Sequence, residues 1–238
     1  MIKSNRFYLT VIAVFAVFIS FTGKSSAQYL THFDFEERNF GFTFSYVNQQ
    51  MEYHMGDFSD YGNGIWSNGK ERLNGVGVGF IVDGTFGAGV GIFWGMDLEY
   101  FSSSNNPSGV GNTIEDQYDK YMEAVLGMPL HIQYKLPISD KIAIGTHLGP
   151  GLSLSVLAGF TSSNGYEDVD ILGAENGMRM LNVTFDAAIY LEWGKVRFDV
   201  IWSNGLVDYK RNPELIDKTF RNKFMFGLSL LGGIEGLD

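Results

Sequence analysis

Large apolar side chains alternate with glycine or polar residues along most of this chain. A clear example is the run in which Phe40, Phe42, Phe44 and Tyr46 are separated by Gly41, Thr43 and Ser45. Successive side chains of a strand point to opposite faces, so a two-residue period of this kind predicts a β-strand with one apolar face. The pattern recurs in eight segments, at 40–46, 76–82, 86–100, 122–136, 142–156, 183–193, 196–202 and 224–230. In the third, Phe86, Ala88, Val90, Ile92, Trp94, Met96, Leu98 and Tyr100 share a face opposite Gly87, Gly89, Gly91, Phe93, Gly95, Asp97 and Glu99. In the fourth, Met122 through Leu136 at every second position oppose Glu123, Gly127, His131, Gln133 and Lys135.

The sorting of the two faces decides which kind of barrel these strands build. A soluble eight-stranded barrel turns its bulky apolar side chains inward and its polar ones to water. Here glycines and charges share a face, and aromatic and aliphatic residues form the other. Eight strands enclose a space just wide enough for side chains to fill, so the small and charged face suits the inside and the apolar face suits lipid. The prediction is an all-β fold, an eight-stranded antiparallel up-and-down transmembrane β-barrel.

The connections follow the same plan. Polar segments at about 48–72, 102–118, 161–180 and 205–219 alternate with short turns at Asp83-Gly84-Thr85, 137–141 and Gly194-Lys195, as expected for long outer loops and short periplasmic turns. Residues directly opposite in an antiparallel pair must point the same way. Trp193 and Val196 both face out, which requires the two-residue turn at Gly194-Lys195, with glycine at the first position of a type II′ turn. Val82 and Phe86 both face out too, which calls for an odd loop centred on Gly84. Extended inward, these registers predict four lumen pairs: Glu192 with Arg197, Tyr190 with Asp199, Phe93 with Gly75, and His131 with His147. They also set Gly77 opposite Gly91 and Gly79 opposite Gly89, leaving room for something bulky or for water.

The N-terminus adds an address. Lys3 and Arg6 precede an apolar run from Phe7 to Phe21, and a polar stretch then ends Ser25-Ser26-Ala27. That is the pattern of a signal peptide over 1–27, cleaved before Gln28. The barrel domain is then 28–238, with 28–38 as a periplasmic N-terminal segment and the outer membrane as destination. No second apolar run approaches the roughly 20 residues of a spanning helix, and with no cysteine the chain offers neither a lipid-attachment site nor disulfides. Removing the signal takes away Lys3, Arg6 and Lys24, which leaves the 27 acidic residues facing fewer than the original 17 cations. So acidic a protein lacks the basic footprint of a nucleic-acid binder. Most of the acidity falls in the loop segments (Glu52, Asp57, Asp60, Glu115, Asp116, Asp119, Glu167, Asp168, Asp170, Glu175) and reads as a hydrated rim ahead of a cation-binding one.

Candidate chemistry is sparse. The glycines at 75–79 and 87–91 match neither a dinucleotide nor a P-loop spacing, so no cofactor is expected. No G-x-S-x-G occurs, and the four histidines are His32, His54, His131 and His147. An acyl-transfer enzyme on such a barrel would need serine, histidine and carboxylate to converge at the rim or lipid level. His131 and His147 face inward instead, so the chain reads as a non-enzyme. Those two are weak metal candidates, and a hydrogen-bonded pair is the commoner arrangement. Glu192, Arg197, Tyr190, Asp199 and Asp186 are expected to form a polar network in the lumen, because a charge facing a narrow interior must be paired.

One stretch carries a resemblance. Met128-Pro129-Leu130-His131-Ile132-Gln133-Tyr134-Lys135-Leu136-Pro137, Leu148-Gly149-Pro150-Gly151-Leu152 and Trp202-Ser203-Asn204-Gly205-Leu206 resemble segments of the small outer-membrane barrels of Bacteroidota, the PorT-like or porin-family group. Asp186 also falls where that group often carries an aspartate. Gly127 stands where it often has glutamate, and the chain ends on Asp238 rather than on an aromatic residue. The resemblance implies an eight-stranded outer-membrane barrel and, for PorT itself, a part in type IX secretion. The expected partners are outer-membrane lipid, the barrel-assembly machinery (reading Phe224 and Phe226) and a protein met by the outer loops. A structural or interaction barrel with a filled lumen is the first expectation, ahead of a small pore.

Overall fold

The computed structural model describes residues 37–55, 69–102, 120–161, 169–170, 172, 179–207 and 216–233. The signal peptide expected at 1–27 and the segment that follows it to residue 36 lie outside the described residues. The strands are β1 (Glu37–Met55), β2 (Gly69–Thr85), β3 (Val90–Ser102), β4 (Lys120–Ser139), β5 (Ile142–Thr161), β6 (Val169–Asp170), β7 (Leu181–Trp193), β8 (Val196–Gly205) and β9 (Ile216–Gly233). Each of the eight long strands pairs antiparallel with its neighbour along the chain, and β1 pairs with β9, so the sheet closes on itself. The two-residue β6 only extends the end of β5, through Gly159 and Phe160. Closure leaves the wall without an open edge, which is why a single curved sheet satisfies its own backbone.

The two faces sort as the alternation predicts. Phe42, Phe44, Ile132, Ile189, Trp193, Phe198 and Leu230 point outward and are exposed, whereas Ser45, Glu99, Glu123, His131, His147, Glu192 and Arg197 point inward and are buried. Outward aromatic residues sit near both ends of the wall: Tyr134 and Trp193 toward the short turns, and Tyr46, Tyr100 and Trp202 toward the other end. Phe40 stacks on Phe80, and Trp94 meets Phe80 edge to face, so this part of the outer surface is packed laterally.

The short connections lie at one end, and the breaks after Met55, Ser102, Thr161 and Gly205 all lie at the other. Trp193 opposes Val196 across Gly194-Lys195, and Gly194 takes φ +59° while Lys195 stays at negative φ, which is the expected type II′ pattern.

The other turns correct the predicted registers. β2 does not stop at Val82 but runs on to Thr85, and the reversal uses 86–89, with Ala88 and Gly89 at positive φ and Phe86 N–H donating to the Val90 carbonyl. Gly75 therefore faces Phe101 rather than Phe93, Gly77 faces Glu99 and Gly79 faces Asp97. Parity permits this slide because moving the loop centre from 84 to 88 keeps every side chain on its face. The glycine run supplies the backbone freedom that a loop there needs. Gly91 shows why the strands can continue so far: a Cβ on it would lie 2.0 Å from the Gly84 carbonyl oxygen.

At the second turn β4 continues to Ser139 and a bulge follows Pro137, so Gln133 rather than His131 opposes His147. A second bulge between Ala124 and Val125 admits Val156 as an extra residue of β5, after which Ala158 faces in beside Glu123. The N-terminal segment expected to reach Arg38 gives way to β1 at Glu37.

The register can be checked by crosslinking, since the chain has no cysteine of its own. Val76 and Tyr100 are opposed on the outer face, so the pair Val76→Cys and Tyr100→Cys should join on oxidation. Val76→Cys with Ile92→Cys, the pair of the slipped register, should not, because residues 92 and 100 lie about 27 Å apart along the strand. The opposite result would restore the Gly84-centred turn.

Candidate functional site

The lumen near the short turns holds a chain of charged and polar side chains drawn from six strands. Lys135 on β4 donates to Glu37 on β1 at 2.8 Å and to Glu192 on β7 at 2.5 Å. Asn39 donates its amide to Glu37 and to Asp83 of β2, both at 3.0 Å. Arg197 on β8 then joins Asp83 through Nη1 at 2.8 Å and Asp199 through Nε at 2.9 Å. Asp199 lies 3.3 Å from His147 Nε2 on β5, His147 Nδ1 lies 2.7 Å from His131 Nδ1 on β4, and His131 Nε2 lies 3.2 Å from Asp186 on β7. Arg197 and His147 are fully buried.

Flat rings hold this chain in place. Phe93 on β3 faces His131 directly in the β3–β4 register and stacks on both histidines, with centroids 5.5 Å from His131 and 4.2 Å from His147. The Arg197 guanidinium lies 3.7 Å from the Tyr190 centroid and 5.0 Å from that of Phe93. A planar cation between aromatic faces gains a cation–π attraction that strengthens where water is excluded. Tyr190 fits because it stands opposite Gly145, where a Cβ would come within 2.3 Å of its ring.

The predicted lumen residues thus meet, with partners that strand parity alone did not name. Glu192 opposes Arg197 as expected, yet their charged atoms are 3.6 Å apart, while Arg197 makes its shorter bonds to Asp83 and Asp199. Tyr190 opposes Asp199, but its hydroxyl has no hydrogen-bond partner among the described residues, and its ring serves as a platform for Arg197. His131 and His147 touch although they are out of register, because they meet diagonally across β4 and β5. Their facing nitrogens are too close to share an ion, since two bonds of about 2.0–2.1 Å at the tetrahedral angle would hold them roughly 3.4 Å apart. Among the described residues no group of three or more histidine or acidic side chains is arranged to hold a metal.

Toward the loop end a second set closes the lumen. Lys223 on β9 pairs with Glu99 on β3 at 2.6 Å, and Arg221 on β9 bonds Glu123 on β4, which also accepts from Ser155 at 2.8 Å. Asp83, Glu99, Glu123, Lys135, Arg221 and Lys223 were not singled out from sequence as partners. Their signal was the inward parity of Glu99, Glu123 and Lys135; Asp83 was hidden by its assignment to a turn.

Between the two charged sets lies a cavity of about 60 Å³, lined by Ser45, Asp97, Gly127, His131, Asp186 and Ser203 among others. Its polar groups share the lining with Phe93, Met96, Met128 and Met225, and it has room for a few water molecules. Gly127 is required here by its neighbour: it opposes Asp97, and a Cβ on it would lie 2.3 Å from Asp97 Oδ1. The Asp97 carboxylate thus occupies the space a side chain at 127 would need. The same logic holds at Gly151, whose missing side chain leaves space for Asp186 and Thr184.

Fold and lumen together define a closed eight-stranded antiparallel barrel with an apolar exterior and a polar interior filled by side chains. No protein-family model and no curated protein matches the chain. Among solved structures, Neisserial surface protein A aligns with a TM-score of 0.48 at 10% identity, covering 80% of this chain and 96% of that one. Ail, the attachment invasion locus protein of Yersinia pestis, aligns with a TM-score of 0.46 at 11% identity, over 82% and 99%.

Two substitutions test this packing. Arg197→Met leaves Asp83 and Asp199 without their cation, and should cost about 3–5 kcal/mol of unfolding free energy, measured by denaturant titration followed through heat-modifiable gel migration. Gly127→Ala should cost about 1–3 kcal/mol by overpacking. Combining it with Asp97→Ala should recover part of that loss, and equal losses in the single and double variants would place the clash elsewhere.

Proposed function

We propose that this chain is an integral outer-membrane β-barrel protein whose lumen is closed and whose work is done by contact at the loop end. The observation that carries the reading is the division of the wall: all eight long strands present apolar side chains outward while every described buried ion pair lies inside. An outward band of this kind belongs in hydrocarbon, and a closed barrel is one of the two spanning structures that satisfy the backbone there. The outer membrane of a Gram-negative bacterium is the corresponding destination. Insertion would call on the barrel-assembly machinery, to which β9 offers the outward row Phe224, Phe226, Leu228 and Leu230.

A filled lumen favours a structural or interaction role over a pore. Arg197, His147, Gln133, Glu99, Glu123 and Asn182 are shut off from water at two levels of the barrel. The same enclosure keeps substrate from both histidines, which supports a non-enzymatic role. The segments at 56–68, 103–119 and 162–168 carry acidic residues and no lysine or arginine, while 208–215 carries Lys210 and Arg211 beside Asp208 and Glu214, so the first three favour a cationic partner.

A part in secretion, as for the PorT-like group, is a second reading. It is favoured by the way Pro129, His131, Gly151 and Ser203, residues from the three resembling segments, converge on one cavity with Asp186.

In planar bilayers the full chain should give no steady single-channel conductance, and reproducible channels would overturn the closed-lumen reading. The unheated membrane fraction should migrate differently from the boiled one on a gel; absence of a shift would count against the barrel in the membrane. The secretion reading predicts that deletion blocks export of cargo carrying the type IX C-terminal signal, and normal export would remove it.

A further inference from the structure

The two lumen histidines stand in an arrangement that fixes a number of protons. His131 Nε2 faces a carboxylate oxygen of Asp186 at 3.2 Å, and His147 Nε2 faces one of Asp199 at 3.3 Å. An ionised carboxylate only accepts hydrogen bonds, so each Nε2 must carry a proton. The two Nδ1 atoms are 2.7 Å apart, a distance that needs one proton between them, because two bare lone pairs or two N–H groups would repel. Three protons on two imidazoles make one imidazolium and one neutral ring.

We infer that Asp186–His131–His147–Asp199 is a buried binding site for a single proton, held in the Nδ1–Nδ1 hydrogen bond of the histidine pair. The inference concerns the lumen alone and goes beyond the membrane role proposed above.

The two rings sit in different surroundings. Arg197 bonds Asp199 through Nε, and Asp199 lies against His147 Nε2, so a fixed cation stands on the His147 side. Tyr190, the other group of β7 beside His147, contributes a ring 6.0 Å away. His131 faces Asp186 and looks across the cavity to Asp97 of β3 and Lys223 of β9, whose ammonium is engaged by Glu99.

The overall charge agrees. On this side of the lumen Glu37 of β1, Asp83 of β2, Asp186 and Glu192 of β7 and Asp199 of β8 face the cations Lys135 of β4 and Arg197 of β8. Carboxylates exceed fixed cations, and one proton on the pair reduces the excess.

Gaining a second proton would put two cations in contact, and losing the first would leave two lone pairs facing. Either change breaks the contact between β4 and β5 side chains, so lumen packing is tied to proton activity from both directions.

The test uses the full chain refolded in nanodiscs with ¹⁵N-histidine. Two-bond ¹H–¹⁵N spectra across the pH range, with His32→Gln and His54→Gln to remove the other two rings, should show one imidazolium and one Nε2–H imidazole at neutral pH. The pair should titrate in two steps separated by more than about one pH unit, the mark of interacting sites. Two neutral rings at neutral pH, or two coincident independent titrations, would overturn the inference. As a second readout, the unfolding midpoint of the parent should pass through a maximum between the two steps, and His147→Gln should abolish that maximum. If this variant does not fold, the parent spectra still decide.

Discussion

A guanidinium enclosed within an eight-stranded wall can place its charge only on side chains of that wall. Arg197 meets this constraint by drawing Asp83 from β2 and Asp199 from its own strand, while Tyr190 and Phe93 cover its faces. Once Arg197 is fixed, Asp199 is positioned to meet His147, and His147 to meet His131 and Asp186. Desolvating such charges is costly, and incomplete pairing would leave several kcal/mol per ion uncompensated. The interior is therefore a connected set in which each member fixes the next, a stricter requirement than space filling alone.

That set and the outer surface divide the work of the barrel. The apolar exterior asks little of geometry, because lipid accepts any aliphatic or aromatic surface of the right height. The interior asks for specific neighbours, and glycines at 127, 145 and 151 exist to admit Asp97, Tyr190 and Asp186 respectively. On the reading proposed above, activity belongs at the end where the described strands break off.

Much of the site was legible in the chain, and the failures share a cause. The inward positions of Glu192, Arg197, Tyr190, Asp199 and Asp186 follow from two-residue periodicity. Their cross-strand pairing followed where the turn was pinned by a single glycine, as at Gly194. At the first and second turns the register was not fixed by parity, because a slide by an even number of residues keeps every side chain on its face. Phe93 was therefore expected over Gly75, where Phe101 stands, and Asp83 was assigned to a turn instead of to Arg197. A long arginine or lysine also reaches beyond its directly opposed neighbour, so even a correct register names Glu192 for Arg197 when the shorter bonds go to Asp83 and Asp199.

The sequence by itself determined that the chain forms strands, which face of each strand is apolar, and that a barrel of about eight strands turns its small and charged residues inward. These follow from the alternation of side chains along a strand and need no knowledge of neighbours. Only the tertiary structure decided which charges meet. The sharing of one hydrogen bond by His131 and His147, and the closing of a single network by Glu37, Asp83 and Lys135 from three different strands, depend on register, bulges and barrel curvature. Those are properties of the closed sheet, set by how strands settle against one another once the ring is complete.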